Sequence, residues 1–272
     1  MPEEDENGDG GGVADCGDAA HQFIEVAPLY DLLMTGVPYD DWVAYLKQLL
    51  NTRNAHPKRV LDLACGTGNV SALLAQEGYA VTGVDIAPQM IAEAKRKAER
   101  DSLKIEYFVQ DAAELDLHGL LFDLCISLFD SLNYITEPHR LAMAIRRVAQ
   151  HLQPGGLFIF DINSEFALKN RFFDQDNLAH PEEKLTYDWD SSYSAKTRLC
   201  RVDMKFWYRE ESGEKRAFNE VHMQYAYRED EVKKMLADAG FDEITVYQAY
   251  TLRAPGRNAD RLFFVSRKKN GC

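Results

Sequence analysis

The sequence predicts an α/β fold: a parallel sheet with helices on both faces, interrupted late in the chain by an antiparallel β insertion. Three features carry this. From Arg59 to Asp161 short apolar runs alternate with helix-like segments, punctuated by Gly, Pro and Asp. The runs are short and mostly apolar, as expected of strands buried on both faces. From 184 to 227 the pattern becomes a polar–apolar alternation rich in aromatics, among them Tyr187, Trp189, Phe206, Trp207, Phe218 and Tyr225, which is the period of a half-buried sheet.

Each element follows from its residues. Residues 1–18 are rich in Gly and acid and are expected to be disordered. From about Ala19 to Leu50 the chain reads as helical. Phe23, Val26, Tyr30 and Leu33 recur at helical spacing, and Trp42, Tyr45, Leu46 and Leu49 do so after the break at Pro38. Residues 59–64 form the first strand, and 69–77 a helix closed by Gly78. Residues 79–84 form a second strand ending at Asp85. Residues 88–100 form a helix with Pro88 at its start, where a missing N–H costs nothing. Residues 105–109 and 122–127 are the third and fourth strands, and 138–152 a helix. Pro154-Gly155-Gly156 is expected to turn the chain into the strand 157–161. Within the insertion, 211–214 reads as a hairpin turn. A helix over 230–239, closed by Gly240, and strands over 241–250 and 261–266 complete the fold. The division expected is a tail (1–18), N-terminal helices (19–57), an α/β core (58–165), an antiparallel β insertion (166–228), and a last helix with the final strands (229–272).

Composition narrows the function. The 272 residues are 46% hydrophobic and 28% charged, with a formal net charge of −13. Seven acidic residues and no Lys or Arg fall in 1–18, so the rest carries −6. Phosphate binding needs clustered cations, so nucleic acid is not an expected partner. The N-terminus lacks the basic and apolar stretches of a signal peptide, and no run is long enough to span a bilayer. Five scattered cysteines without a CxxC pair suggest neither a disulfide framework nor a zinc site. A cytoplasmic protein without metal, monomeric or homodimeric, is expected.

The chemistry concentrates in Val60-Leu61-Asp62-Leu63-Ala64-Cys65-Gly66-Thr67-Gly68-Asn69. A strand runs into a Gly turn that opens a helix. Gly66 and Gly68 let the backbone approach a ligand, and the helix start offers free N–H groups. Asp85, at the end of the next strand, can accept both hydroxyls of a ribose. A dinucleotide site would carry a third Gly where Ser71 stands, and there is no Gly-Lys-Ser/Thr phosphate loop. A nucleoside without a pyrophosphate fits better than NAD.

These residues, with Val84-Asp85 and Gln110-Asp111-Ala112, resemble the class I S-adenosylmethionine (SAM)-dependent methyltransferases over roughly 58–162. The resemblance implies a Rossmann-like, seven-stranded methyltransferase sheet with SAM as methyl donor and S-adenosylhomocysteine (SAH) as product. It implies that Ala64, Gly66 and Gly68 line the methionine part, while Asp62 orients the turn or the amino group. Asp85 would take the ribose. Ile86 and Met90 would pack on adenine, with plain core as the other reading of Met90, and Asp111 and Ala112 would meet its edge. Ser127 and Leu128 would lie under the methionine. Tyr30-Asp31 is similar to a pair that closes over SAM in small-molecule methyltransferases. The insertion resembles the lid of glycine- and aminosugar-type N-methyltransferases.

Ligands of such sheets bind beyond the carboxyl ends of the strands, so Phe129, Asp130, Asn133 and Tyr134 are candidate acceptor contacts. Tyr134 and His222 are the candidate catalytic residues, His222 as a general base. Arg198, Arg201, Asn219 and Tyr225 also fall in the lid but read individually as solvated or structural, and His139 as a surface residue. The expected reaction is methyl transfer to a small-molecule amine or hydroxyl by in-line displacement. The alternatives are a protein or RNA methyltransferase and a nonenzymatic SAM- or SAH-binding protein.

Overall fold

A computed structural model describes residues 22–180, 182–210 and 212–271. The acidic tail 1–18 lies outside the described residues. Among the described residues, eleven strands form two sheets. In chain order the elements are α1 (Tyr30–Leu33), α2 (Tyr39–Thr52), β1 (Arg59–Leu63), α3 (Asn69–Gln76), β2 (Ala80–Asp85), α4 (Pro88–Arg100), β3 (Glu106–Val109), β4 (Phe122–Ser127), α5 (Pro138–His151), β5 (Leu152–Asn163) and α6 (Glu165–Lys169). Then follow β6 (Gln175–Asp176), β7 (Leu185–Ser194), β8 (Leu199–Arg209), β9 (Lys215–Tyr225), α7 (Glu229–Asp238), β10 (Phe241–Gln248) and β11 (Arg261–Lys268).

The larger sheet has seven strands in the order β10-β11-β5-β4-β1-β2-β3. Its pairs from β5 to β3 are parallel, and β11 runs antiparallel to both β5 and β10. Successive side chains go to opposite faces, and both faces are covered. Leu61, Leu63 and Cys125 pack with Leu141, Ile145 and Leu236 of α5 and α7. Val60, Leu124 and Ile126 pack with Leu46, Leu49 and Leu74 of α2 and α3. That two-sided burial is why these strands read as mostly apolar runs.

The smaller sheet is the antiparallel insertion, ordered β6-β7-β8-β9. Its alternation sends Trp189, Met204, Phe206 and Phe218 into a cluster shared with Val26 and Leu168. Trp207 and Val221 stay exposed on the other face. Of the hairpin expected at 211–214, residues 212–214 lie between β8 and β9, with Gly213 at φ +89°; Glu211 lies outside the described residues.

Two expectations need correction. The continuous helix expected from about Ala19 is absent over the described residues. Residues 22–26 are turns, Ala27–Leu29 is one 3₁₀ turn, and α1 spans only Tyr30–Leu33. Phe23 sits at φ +64°, outside helical space, and Pro28 falls in the 3₁₀ turn. The recurring apolar residues face the cavity described below instead of forming a helix stripe. Pro154-Gly155-Gly156 does not turn between two elements but lies inside β5. The register slips there, from Phe122 opposite Leu152 to Leu124 opposite Leu157. Gly155, at φ +78°, supplies the left-handed conformation that such a bulge requires.

Among the described residues no helix is long and apolar enough to cross a membrane.

Candidate active site

The carboxyl ends of β1, β2 and β4, the lid sheet and residues 23–39 enclose a cavity of about 280 Å³. Its floor is the turn after β1. Ala64 and Gly66 take φ +58° and +55°, and Gly68 takes +77°. A Cβ on Gly66 would meet nothing within 4 Å, so the turn leaves open space on the cavity side. Gly68 has a different reason: a Cβ there would come within 2.4 Å of the Tyr107 hydroxyl.

Two carboxylates face this floor. Asp85 accepts the Gly66 N–H at 2.8 Å and the Ala87 N–H at 2.9 Å. It thereby ties the turn to the end of β2. Burial raises its pKa despite these two donors. Asp62 accepts the Ser71 hydroxyl, and burial, reinforced by Asp85, pushes its pKa up to about 7. The residue whose side chain argued against a dinucleotide therefore holds the first carboxylate in place.

The roof is residues 23–39, fastened at two points. Asp31 accepts from Thr67 Oγ1 at 2.7 Å, Asn69 Nδ2 at 3.0 Å and Lys97 Nζ at 2.6 Å. Burial would raise the Asp31 pKa, but Lys97, Thr67 and Asn69 outweigh it and hold it below the ordinary value. At the other point Glu220 accepts the backbone N–H groups of Glu25 at 2.8 Å and Val26 at 3.0 Å.

The far wall comes from the loop after β4 and from the lid. Phe129 and Asp130 both adopt left-handed φ, +66° and +48°, an uncommon conformation for such residues. Asp161 holds them there by accepting both of their N–H groups at 2.9 Å. Arg261 bonds Asp161 and also Asp130, the latter at 2.7 Å. Gln224 Nε2 donates to the other Asp130 oxygen at 2.6 Å. Beside this loop, Tyr134 Oη lies 3.4 Å from His222 Nδ1, and His222 Nε2 lies 2.8 Å from Glu220.

Of the residues singled out in the sequence, Tyr30, Asp62, Ala64, Gly66, Asp85, Ile86, Met90, Leu128, Phe129, Asp130, Tyr134 and His222 line this one cavity. Gly68 lies behind the turn, against Tyr107. Asn133 is fully buried and bridges Asn163 and the Tyr225 carbonyl, so it fastens the loop to β5 and β9. Asp111 accepts the Ala113 N–H at 2.7 Å and pairs with Arg140, and neither it nor the adjoining Ala112 is on the cavity wall. Ser127 is buried under the loop, and its hydroxyl has no partner among the described residues. In the lid, Arg198 pairs with Glu231 and Tyr225, and Arg201 with Asp203.

Sequence reasoning missed Lys97, Asp161, Glu220 and Arg261. The first lies on a helix and the rest on strands, and their partners are distant in the chain. Glu220 alone left a signal. It falls two residues before His222 in a strand of period two, and so on the inward face with Phe218.

The floor suits a nucleoside bearing cationic groups: a carboxylate at the end of β2, a second one at the end of β1, and a turn stripped of one side chain. The fold and this site define a nucleoside-binding α/β protein of the methyltransferase type. The comparisons agree. The methyltransferase domain family matches residues 60–156. A methyltransferase-family protein of Geobacillus sp. (strain WCH70) is 34% identical over 241 residues, covering 88% of this chain and 96% of that one. The crystal structure of a SAM-dependent methyltransferase from Clostridium acetobutylicum superposes with a TM-score of 0.79 at 27% identity, over 90% of this chain and 98% of that one. The SAM-bound amino pentose methyltransferase CalS10 from Micromonospora echinaspora shares the fold, with a TM-score of 0.69 at 23% identity over 89% and 97% of the two chains. The chain belongs to the SAM-dependent methyltransferase family.

Proposed function

We propose that this methyltransferase acts on a small molecule, an amine or a hydroxyl compound, held between the SAM-binding turn and the lid sheet. The observation that supports this reading is that the cavity is walled on three sides. One wall is the Gly66 turn, the opposite wall is lid side chains, and residues 23–39 lie across both. A folded protein or an RNA would need an open face at the methyl group.

In this reading Asp85 accepts the ribose hydroxyls, and Asp62 meets the amino group of the methionine part beside Gly66. Ile86 and Met90 flank the adenine, and Tyr30 and Leu128 cover the cofactor. Phe129, Asp130 and Tyr134 face the acceptor, with His222 behind Tyr134. SAM supplies an electrophilic methyl whose leaving group is a neutral thioether, so the protein has little bond chemistry to perform. Its residues align the acceptor, exclude water and manage one proton. Alignment alone is worth about 7–11 kcal/mol of the barrier at its limit. The Asp161–Arg261 clamp serves that end, because it fixes Phe129 and Asp130 in a conformation they would not adopt freely.

The test is to incubate the full-length protein and SAM with a panel of amines and hydroxyl compounds and to quantify SAH by mass spectrometry. Acceptor-dependent SAH is expected from the small-molecule panel. SAH formed only with protein or RNA fractions would overturn the reading.

A further inference from the structure

We propose that the methyl-accepting group is a hydroxyl on an apolar, ring-sized body, and that it loses its proton to a His222 imidazole oriented by Glu220. This rests on the small-molecule reading above.

The two-residue period of β9 turns Phe218, Glu220, His222 and Gln224 to the buried side of the lid. Polar groups on such a face are costly unless paired. The Glu220 and His222 side chains are 7% and 2% exposed and lie 2.8 Å apart. Burial would raise the Glu220 pKa, but His222 and the Val26 and Glu25 N–H groups outweigh it, so the carboxyl is held ionised. A carboxylate only accepts, so His222 Nε2 donates to Glu220, and in the neutral imidazole Nδ1 then presents its lone pair. The group near Nδ1 is the Tyr134 hydroxyl, at 3.4 Å. That is long for a hydrogen bond, so the protein's own contacts engage the lone pair only weakly.

This geometry suits an oxygen nucleophile. A hydroxyl methylated with its proton in place would give a strongly acidic oxonium, so the proton must leave during transfer to a base at that point. A neutral amine needs no base in the transfer step, and an ammonium would need an anion with an open position. The carboxylates at this end are taken. Asp130 is bonded by Gln224 and Arg261, and Glu220 by His222 and the backbone of the roof. The surrounding rings of Phe23, Phe173, Trp189 and Phe206 offer an apolar, planar-walled space.

The acceptor oxygen forms a bond to the methyl carbon while the methyl–sulfur bond breaks, and that electron pair stays on sulfur. The hydroxyl proton passes to His222 Nδ1, directly or through Tyr134, giving an imidazolium stabilised by Glu220. It leaves to water after product release. His222 and Tyr134 act on the acceptor, and Glu220 is a positioning residue.

The experiment titrates SAH-saturated full-length protein with para-ethylphenol and para-methylbenzylamine, which have matched apolar bodies and differ in the reactive group. The phenol is expected to bind at least about tenfold tighter, a difference of about 1.4 kcal/mol. Equal binding, preference for the amine, or binding of neither overturns the hydroxyl assignment. Failure of SAH to bind at all would instead overturn the cofactor reading, so the two failures are distinguishable. For any acceptor that turns over, Glu220→Gln, whose amide oxygen can still accept the Glu25 and Val26 N–H groups, is expected to lower kcat by at least about tenfold with the KM for SAM little changed, and Glu220→Asp to recover part of the loss. An unaltered kcat in Glu220→Gln removes Glu220 from the assignment.

Discussion

Lys97 Nζ lies 2.6 Å from Asp31 Oδ2, and this contact joins helix α4 to the roof of the cavity. Lys97 is nearly buried, and it also donates to Thr67 at 3.2 Å and to Asn69. One ammonium therefore holds both the roof and the start of α3.

Lys97→Met is expected to release Asp31 and loosen the roof. Because Asp31 keeps a solvated side, the loss of stability is about 1–2 kcal/mol, less than for a fully buried pair. SAM affinity should fall as well, since roof closure is then no longer prepaid. Thermal denaturation and calorimetry read the two effects. Unchanged SAM affinity would show that the roof does not contribute to the cofactor site.

The two turn glycines should respond differently. Ala at either must adopt a left-handed φ, at a cost of about 1–2 kcal/mol. Gly66→Ala also places its methyl in the open cavity, so SAM binding should suffer more than stability does. Gly68→Ala meets the Tyr107 hydroxyl and adds about 1–3 kcal/mol of overpacking. Its stability loss should be partly recovered in the double variant with Tyr107→Phe. Denaturant unfolding of the four proteins closes the cycle, and additive losses would refute the contact.

SAM affinity should depend on pH through Asp62. Its carboxyl, pushed up to about 7 by burial, is largely protonated at pH 6, while an ammonium ligand favours the ionised form. Binding therefore releases a proton, and Kd tightens by about tenfold from pH 5.5 to 7. The gain ends near pH 8, where an α-amino group loses its own proton. In the free protein the same raised pKa has the opposite sign. The folded state holds its proton longer than the unfolded chain, so this group's contribution to stability declines as pH rises from about 4 to 7. Calorimetry across pH in buffers of different ionisation enthalpy checks the proton release. Asp62→Asn should flatten the profile, and a profile identical to that of the unsubstituted protein would contradict the role.

Tyr134→Phe should spare SAM binding and lower turnover, because the phenol stands at the acceptor end and beside His222. A turnover number equal to that of the unsubstituted protein would return Tyr134 to a packing role. Asp85→Ala should reduce SAM affinity by at least about a hundredfold, since it removes the acceptor proposed for the ribose as well as the bond to Gly66.

What the sequence disclosed follows from where its information is local. The strands and helices from Arg59 to His151 were legible because Gly78 and Pro88 punctuate them and two-sided burial makes each strand mostly apolar. The segment before α2 was not. Phe23, Val26, Tyr30 and Leu33 have helical spacing, but their partners are the cavity and the lid, and Phe23 and Pro28 break the helix that spacing alone suggests. The floor of the site was legible because Asp62, Gly66 and Asp85 stand at fixed places on consecutive elements. The clamps were not. Asp161 works through Arg261, which is 100 residues away along the chain, and Glu220 works through a roof almost 200 residues earlier. Asn133 and Asp111 stand at the expected places, and the sequence did not disclose that their side chains bond Asn163 and Arg140.

The measurement that bears most directly on the central claim is calorimetric titration of the full-length protein with SAM, SAH and NAD in parallel. SAM and SAH are expected to bind at one site, with affinity lost in Asp85→Ala, and NAD to give no heat of binding. Binding of NAD, or silence from both SAM and SAH, would contradict that claim.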